Sequence, residues 1–230
     1  MDRSARQARL DRRRGAERRG QMKWVFYIGI VAVVIAGMLI YASRVRTAPE
    51  RTYLQPNGLS LGDPNAPVQM VEYADFQCPH CYNVYLGAED ELIETYIDTG
   101  LVHFTYRPVG FLGPESDSSA AAAFCAGEQN LFWPYHDTLF ANFSHSNAGG
   151  YSESRLVSMA DSVGLDVPAF EQCMADGTGL AGMQAAVDEA RANGVNGTPA
   201  FIINGTLLGG SRTFEQLAEV IDAALAASGN

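Results

Sequence analysis

The sequence predicts an α/β domain with a helical insertion, preceded by one N-terminal transmembrane helix. Three observations predict this class. An uncharged apolar run covers residues 24–42. Segments rich in β-branched and aromatic residues, which are typical of buried strands, stand on both sides of a helical block at about residues 115–193. The chain of 230 residues is also long enough for one domain with such an insertion.

The first 42 residues predict a membrane anchor. Residues 1–23 carry nine basic and three acidic side chains, whereas residues 24–42 carry no charge. At about 1.5 Å per residue, the uncharged run spans most of a hydrocarbon core of roughly 30 Å. Basic flanks stay in the cytoplasm. We therefore expect a single-pass protein of the cell membrane, with a cytoplasmic segment at 1–23 and the following domain outside the cytoplasm.

A cleaved signal peptide is the alternative for this region. A signal peptide has an apolar core of about 7–15 residues, followed by small residues at its cleavage site. The run at residues 24–42 is longer, and Arg44 and Arg46 stand where small residues would be needed. These features favour an anchor that is retained.

The charge of the remaining chain excludes one class of partner. Residues 47–230 carry five arginines, no lysine and 23 acidic side chains, a net charge of −18. Such a surface repels phosphate backbones, so we expect no nucleic-acid binding. Outside the cytoplasm thiols tend to be oxidised, and the four cysteines make two possible bridges.

The body of the chain is expected to be one domain. Residues 43–57 predict a linker rich in turn-forming residues, and the domain follows over residues 58–227. Two strands are expected, over residues 68–76 and 101–109. The pattern between them predicts a helix that ends at Gly100.

The helical block should contain five helices. Ser116 and Asp117 are expected to cap the first, an alanine-rich helix, and Pro134 to open the second. A third follows, and two short helices are predicted over residues 168–174 and 180–193.

The end of the chain predicts a hairpin and a last helix. Asn204-Gly205 lies between two short apolar segments, and this pair supplies the positive φ angles of a tight hairpin turn. Thr213 and Gln216 have the spacing of a capping box, which predicts the start of the final helix.

Two cysteines, Cys78 and Cys81, enclose Pro79 and His80 directly after the first predicted strand. If Cys78 is the N-cap residue, Pro79 falls at the first helical position, where its missing N–H costs nothing. Free backbone N–H groups, the helix dipole and a protonated His80 would then favour the Cys78 thiolate. We expect Cys78 to be the nucleophile and Cys81 its buried resolving partner.

Two other interpretations of the pair are weaker. A zinc site would need two more ligands, and Cys125 and Cys173 are 48 residues apart rather than in a compact knuckle, so we expect no metal. A purely structural bridge between Cys78 and Cys81 would close a very short loop and constrain little chain entropy.

These features together resemble a known family. The CPHC motif after a strand, the helical insertion and the segment GTPAFIING at residues 197–205 resemble the DsbA-like branch of the thioredoxin superfamily, in particular its membrane-anchored thiol–disulfide oxidoreductases. The resemblance implies a thioredoxin-like fold. Thr198-Pro199 matches the family's cis-proline loop, which contacts substrate, and Glu72 matches a glutamate that could accept or relay the proton of Cys81.

The resemblance also implies roles for the remaining cysteines and for partners. Related proteins often carry a second cysteine pair in the insertion, which implies a structural Cys125–Cys173 disulfide; a second redox pair is the alternative. The implied enzyme is a dithiol oxidase without a dissolved cofactor, which introduces disulfides into exported proteins. A DsbB-like, quinone-linked membrane partner would re-oxidise it.

Two other functions remain open on the sequence. A reductase or isomerase could use the same cysteine pair, because a threonine before the cis-proline does not decide the direction of exchange. A thiol-dependent chaperone or assembly factor would bind its clients even without the two cysteines.

Overall fold

The computed structural model describes residues 24–39, 45–49, 51–144 and 146–229. The chain divides into two compact units, Met1–Arg44 and Val45–Asn230. In the first unit, residues 24–39 form helix α1, and most of its large apolar side chains are exposed. Among the described residues, no helix has both the length and the apolar character needed to cross a membrane. The end of the predicted anchor, residues 40–42, and the basic segment 1–23 lie outside the described residues.

A mixed sheet forms the centre of the second unit and confirms the predicted α/β class. Its order is β1-β3-β2-β4-β5; β2 and β3 are parallel, and the other neighbours are antiparallel. The five strands are β1 Ser60–Leu61, β2 Val68–Ala74, β3 Val102–Pro108, β4 Ala200–Ile203 and β5 Thr206–Gly209.

Strand β2 lies in the middle of the sheet, and both of its faces are covered. Met70 and Ala74 belong to the main core, whereas Tyr73 belongs to a second cluster on the other face. Glu72 lies two residues from both Met70 and Ala74 and therefore on the same face of β2. Its neighbour in register on β3 is Tyr106, which belongs to the main core. The parallel pairing therefore brings an acid and a phenol to the same buried face.

Helices cover both faces of the sheet, and five of them lie between β3 and β4. The helices are α2 Pro79–Gly87, α3 Glu89–Leu92, α4 Pro114–Glu128, α5 Phe132–Ala141, α6 Glu153–Ser162, α7 Val167–Ala175, α8 Thr178–Ala192 and α9 Phe214–Ser228, with a π-helix at Ile93–Ile97.

The helix predicted between β2 and β3 is interrupted. The backbone leaves the helical region at Ala88 (φ −133°, ψ −29°), α3 starts again at Glu89, and a π-helix completes the segment. Glu89 is buried directly after the break. The segment ends near Gly100, whose positive φ of 77° suits glycine.

Two helix starts in the insertion differ from the prediction. Helix α4 begins at Pro114 with Gly113 as its N-cap, so the expected capping by Ser116 and Asp117 is wrong. Ser116 lies inside the helix, and its hydroxyl bonds to the loop before the cysteine pair instead. Helix α5 begins at Phe132, two residues before Pro134, which the first turn tolerates.

The insertion is joined internally by the Cys125–Cys173 disulfide, which links α4 to α7. Helix α8 approaches this bridge closely at Gly179, where a β-carbon would lie 2.6 Å from the Cys125 sulfur. The hairpin turn at Asn204 and Gly205 has the predicted positive φ angles, and the Thr213 capping box is also confirmed.

The described residues of the predicted linker, 45–49 and 51–57, lie against the body. The backbone N–H of Arg46 donates to the Asn142 side chain at 2.8 Å, and its carbonyl accepts from the same side chain at 2.7 Å. The Tyr53 ring packs on Trp133 at 5.4 Å between centroids. The segment therefore forms part of the second unit.

Candidate active site

The loop between β2 and α2 is fixed by a buried carboxylate. Asp75 accepts hydrogen bonds from the backbone N–H groups of Gln77 and Phe111, each at 2.8 Å, and from the Ser116 hydroxyl at 2.8 Å. Its own carbonyl accepts from the Cys78 N–H at 2.9 Å. Burial raises the pKa of Asp75, while these donors oppose that rise. The loop thus holds Cys78 at a defined place at the start of α2.

Cys78 is the N-cap residue of α2, and Pro79 follows it in the first helical turn. The sulfur makes no capping hydrogen bond of ordinary length. Because sulfur is large and diffuse, the nearby N–H groups of His80 and Cys81 still favour its charged form. Together these contacts lower the pKa of Cys78 to about 5. The hydrogen bond from the Cys81 thiol is the largest cause, and the Thr198 side chain acts in the same direction, whereas burial opposes the shift.

Cys81 has the opposite character. Its side chain is 1% exposed, and neither it nor Cys78 is in a disulfide in this structure. Burial is the main cause that raises the pKa of Cys81 well above its ordinary value, and the hydrogen bond to Cys78 adds to it. The pair therefore divides into one sulfur that ionises easily and one that holds its proton.

The loop before β4 faces this pair. The Thr198–Pro199 peptide bond is cis. The Thr198 carbonyl oxygen lies 3.4 Å from the Cys78 sulfur and accepts from it in the thiol form. Pro199 is buried.

Glu72 lies on β2 behind the cysteines and is 3% exposed. Burial raises the pKa of Glu72 to about 8, so near neutral pH it holds its proton but can release it. Its negative form would raise the pKa of Cys81 further. Glu72 is thus suited to exchange a proton with that thiol.

An open groove of about 600 Å³ leads to the cysteine pair. His80 and Pro79 are exposed at its edge. The imidazole of His80 therefore borders the groove, while its backbone N–H acts on the sulfur. The groove is lined by Cys78, Pro79, His80, Phe111, Leu112, Arg191, Val195, Asn196, Gly197 and Thr198.

Asp75, Ser116 and Tyr106 were not among the site residues predicted from the sequence, and no role was predicted for His136. Asp75 carried one signal, because a polar residue ends an otherwise apolar strand just before the cysteines. The sequence around Ser116, Tyr106 and His136 gave no such signal, since only the tertiary fold brings these residues near the cysteine pair.

The described residues contain one cluster of three side chains of the kind that bind metals: Glu89, His136 and Asp137. The guanidinium of Arg51 already binds both carboxylates, at 3.0 and 3.1 Å, so a cation is supplied by the chain itself. Cys125 and Cys173 are bonded to each other and are not available as zinc ligands beside Cys78.

The fold of the second unit is matched by known proteins. Residues 54–223 match a family model described as thioredoxin. The chain belongs to the thioredoxin family.

Two curated relatives of this chain differ in how much of their length is matched. A protein of Bacillus anthracis named "Probable disulfide bond formation protein D" is 26% identical over 199 residues, which cover 84% of this chain and 91% of the relative. The Na⁺/H⁺ antiporter NhaA 1 of Salinispora arenicola is 34% identical over 167 residues. That match covers 72% of this chain and only 24% of the antiporter.

A solved structure has the same fold. The oxidised form of BdbD from Bacillus subtilis superimposes with a TM-score of 0.68 over 79% of this chain and 100% of that chain, at 21% identity. The thioredoxin-like fold, with a mixed sheet and a helical insertion, is therefore shared at low sequence identity.

Proposed function

We propose that this thioredoxin-family protein is an extracytoplasmic thiol–disulfide oxidoreductase that introduces disulfides into exported proteins through Cys78 and Cys81. The main support for this proposal is the difference in pKa and exposure between the two sulfurs. Cys78 borders the groove with a pKa lowered to about 5, whereas Cys81 is buried with a raised pKa. A disulfide between them is unstable relative to the reduced state, because only the reduced state holds the Cys78 thiolate.

In the first step, a substrate thiolate attacks the Cys78 sulfur of the oxidised pair. A mixed disulfide forms, and Cys81 leaves as a thiolate. Cys81 then takes a proton from Glu72, because its pKa lies above that of Glu72. Thr198 and Pro199, opposite the sulfur, would align the substrate backbone.

In the second step, another substrate thiolate attacks the substrate sulfur of the mixed disulfide. Cys78 leaves as a thiolate, which is a good leaving group because its pKa is low. The substrate has lost two electrons and the cysteine pair has gained them. A membrane partner of the DsbB type, linked to quinone, would accept these two electrons and restore the disulfide.

The remaining features fit this role. The name of the Bacillus anthracis relative, which this chain matches over nearly its whole length, refers to disulfide bond formation. We propose that residues 24–42 anchor the domain in the bilayer, since they carry no charge and follow a basic segment. Cys125–Cys173 would be structural, because neither cysteine has a neighbouring partner of the CxxC kind.

The reduction potential of the pair tests this function. The full chain in detergent micelles is equilibrated in glutathione buffers, and the thiols are alkylated and counted by mass spectrometry. We expect a potential clearly above −270 mV, shifted toward −120 mV, and a value near −270 mV would favour a reductase. Replacing Cys125 and Cys173 together by serine should leave the potential unchanged. Client binding that survives Cys78→Ser with Cys81→Ser would favour a chaperone.

A further inference from the structure

A buried charged cluster shares the core with Glu72 and has no part in the chemistry above. Arg51 binds Glu89 at 3.0 Å and Asp137 at 3.1 Å. His136 Nδ1 lies 3.1 Å from Asp137, and its Nε2 lies 3.6 Å from Glu89. His136 is fully buried, and both carboxylates are at least 97% buried. Burying so many ionisable groups carries a desolvation cost, which their mutual ion pairs offset only in part.

Two buried polar atoms, one in this cluster and one beside it, have no hydrogen-bond partner in the described part of the chain. Among the described residues, Tyr106 Oη and His136 Nε2 are the buried side-chain polar atoms without a hydrogen-bond partner. The two rings touch edge to face, with centroids 4.7 Å apart. Tyr106 is also the neighbour of Glu72 in register on the adjacent strand. Unpaired buried polar atoms are rare and call for an explanation, such as a catalytic role or an ordered water.

The other end of the cluster reaches solvent. Arg51, Tyr53 and Asp137 line a cavity of about 360 Å³ on the surface of the second unit. The Tyr53 hydroxyl donates to Asp137 at 2.6 Å. Charged groups therefore continue from the buried His136 to an opening that is separate from the groove at the cysteines.

Such a connection would serve both halves of the reaction. Cys81 takes up a proton through Glu72 when the disulfide opens and must release one when the pair is re-oxidised, yet both side chains are almost fully buried, at 3% and 1% exposure. A buried acid exchanges protons with solvent only through other donors and acceptors or through ordered water.

We propose that Tyr106 and His136 connect Glu72 to Glu89 and Asp137, so that protons for Cys81 pass through the core from the cavity at Arg51. This inference rests on the proposed function. One solvent proton enters at the carboxylates and one proton reaches the Cys81 thiolate, while every group between them returns to its starting state. Tyr106 and His136 do not touch the reacting sulfurs and act as positioning residues.

The groups that face this path come from several elements. Glu72 is faced by Cys81 from α2, by Tyr106 from β3 and by Glu89 from α3. Its partner on β4 is the apolar Phe201. Asp75 also acts on Tyr106. The cluster of Arg51, Glu89, His136 and Asp137 is further faced by Asp90 and the Tyr85 ring at Arg51, and by the Tyr53 hydroxyl at Asp137.

The test uses Tyr106→Phe and, separately, His136→Gln in the full chain in detergent micelles. Acid-quenched flow with mass spectrometry follows a single reduction of the oxidised protein by glutathione, in H₂O and in D₂O, between pH 5 and 9. Removing one member of a proton path should slow the reaction at least about tenfold at pH 7 and change the solvent isotope effect. The pH profile of Cys78 alkylation should stay unchanged, which separates the effect from a disturbed nucleophile.

Tyr135→Phe is the matched control. Tyr135 is an equally buried tyrosine whose hydroxyl donates to the Leu156 carbonyl, away from Glu72. It should lose stability but keep the wild-type rate, whereas Tyr106→Phe removes an unpaired hydroxyl and should not lose stability. If both Tyr106→Phe and His136→Gln react as the wild type does, the path is wrong and the proposed function stands. A wild-type protein that exchanges no disulfide overturns both.

Discussion

At the residue scale, the ionisation of Cys78 decides which way electrons flow. A thiolate with a pKa of about 5 stabilises the reduced protein at pH 7 by about 2.7 kcal/mol relative to an un-ionised thiol. That free energy corresponds to roughly 60 mV for a two-electron couple. The helix start and the Cys81 thiol, rather than any cofactor, would therefore supply the oxidising power.

This ionisation gives the reduced and oxidised proteins different pH dependences. The pKa of Cys78 is about 5 in the folded, reduced protein and about 8.5 in an unfolded chain. The stabilisation is therefore present above pH 8.5 and is lost as the pH falls through 5, whereas the disulfide form has no such group. The unfolding free energy of the reduced protein relative to the oxidised one should fall by about 3 kcal/mol between pH 8 and pH 5. Urea titrations of the reduced and the oxidised protein over this pH range measure the difference. Unfolding free energies that change in parallel with pH in the two forms would contradict the prediction.

Glu72 should lower the stability of the fold near neutral pH while it speeds disulfide exchange. Its folded pKa of about 8 lies above that of an unfolded glutamate, so its ionisation destabilises the fold as the pH rises through that interval. Glu72→Gln should raise the unfolding free energy by about 4 kcal/mol at pH 7.5 and leave it nearly unchanged at pH 4. Single-turnover exchange should slow by about a hundredfold. The exposed Glu91→Gln serves as the control, and an equal rate in both variants would exclude Glu72 from proton transfer.

At the element scale, local rules predicted most boundaries, and long-range contacts explain the exceptions. The N-cap at Cys78, the turn at Asn204 and the capping box at Thr213 depend on neighbours in sequence, and each is where the sequence placed it. Ser116 was expected to cap α4, but its hydroxyl bonds to Asp75, 41 residues away. Nothing in the local pattern indicates that partner.

The Cys125–Cys173 disulfide should stabilise the insertion without affecting the active site. It closes a loop of 48 residues, which corresponds to about 4 kcal/mol by loop-closure entropy. Replacing both cysteines by alanine should lower the unfolding free energy by about 2–4 kcal/mol in denaturant titrations. The pH profile of Cys78 alkylation should not move. A shift of that profile would show that the disulfide also holds the active site in place, which would contradict a role confined to the insertion.

At the scale of the whole molecule, residues 45–57 bring a cation into the acidic second unit. Three carboxylates surround Arg51, and two of them, Glu89 and Asp137, are buried. The sequence showed the proline and glycine content of this segment but not its docking, because the partners of Arg51 are 38 to 86 residues away.

Removing this cation should weaken the whole second unit. Arg51→Ala would leave two buried carboxylates without their partner, and breaking a buried ion pair in this way costs about 3 kcal/mol or more. We expect a loss of about that size in denaturant titrations at pH 7. Arg212→Ala, at a partly exposed arginine that bonds only to a backbone carbonyl among the described contacts, should change stability by less than about 0.5 kcal/mol. Equal losses would mean that Arg51 is an ordinary surface cation.

The most direct measurement of the central claim is the ionisation of Cys78 itself. The reduced full chain is alkylated briefly with iodoacetamide over a pH series, and the modified cysteine is identified by peptide mass spectrometry. We predict that modification occurs at Cys78, with half of its maximal rate near pH 5, and that the buried Cys81 reacts very little. A half-point above pH 8, as for an ordinary thiol, would contradict the account.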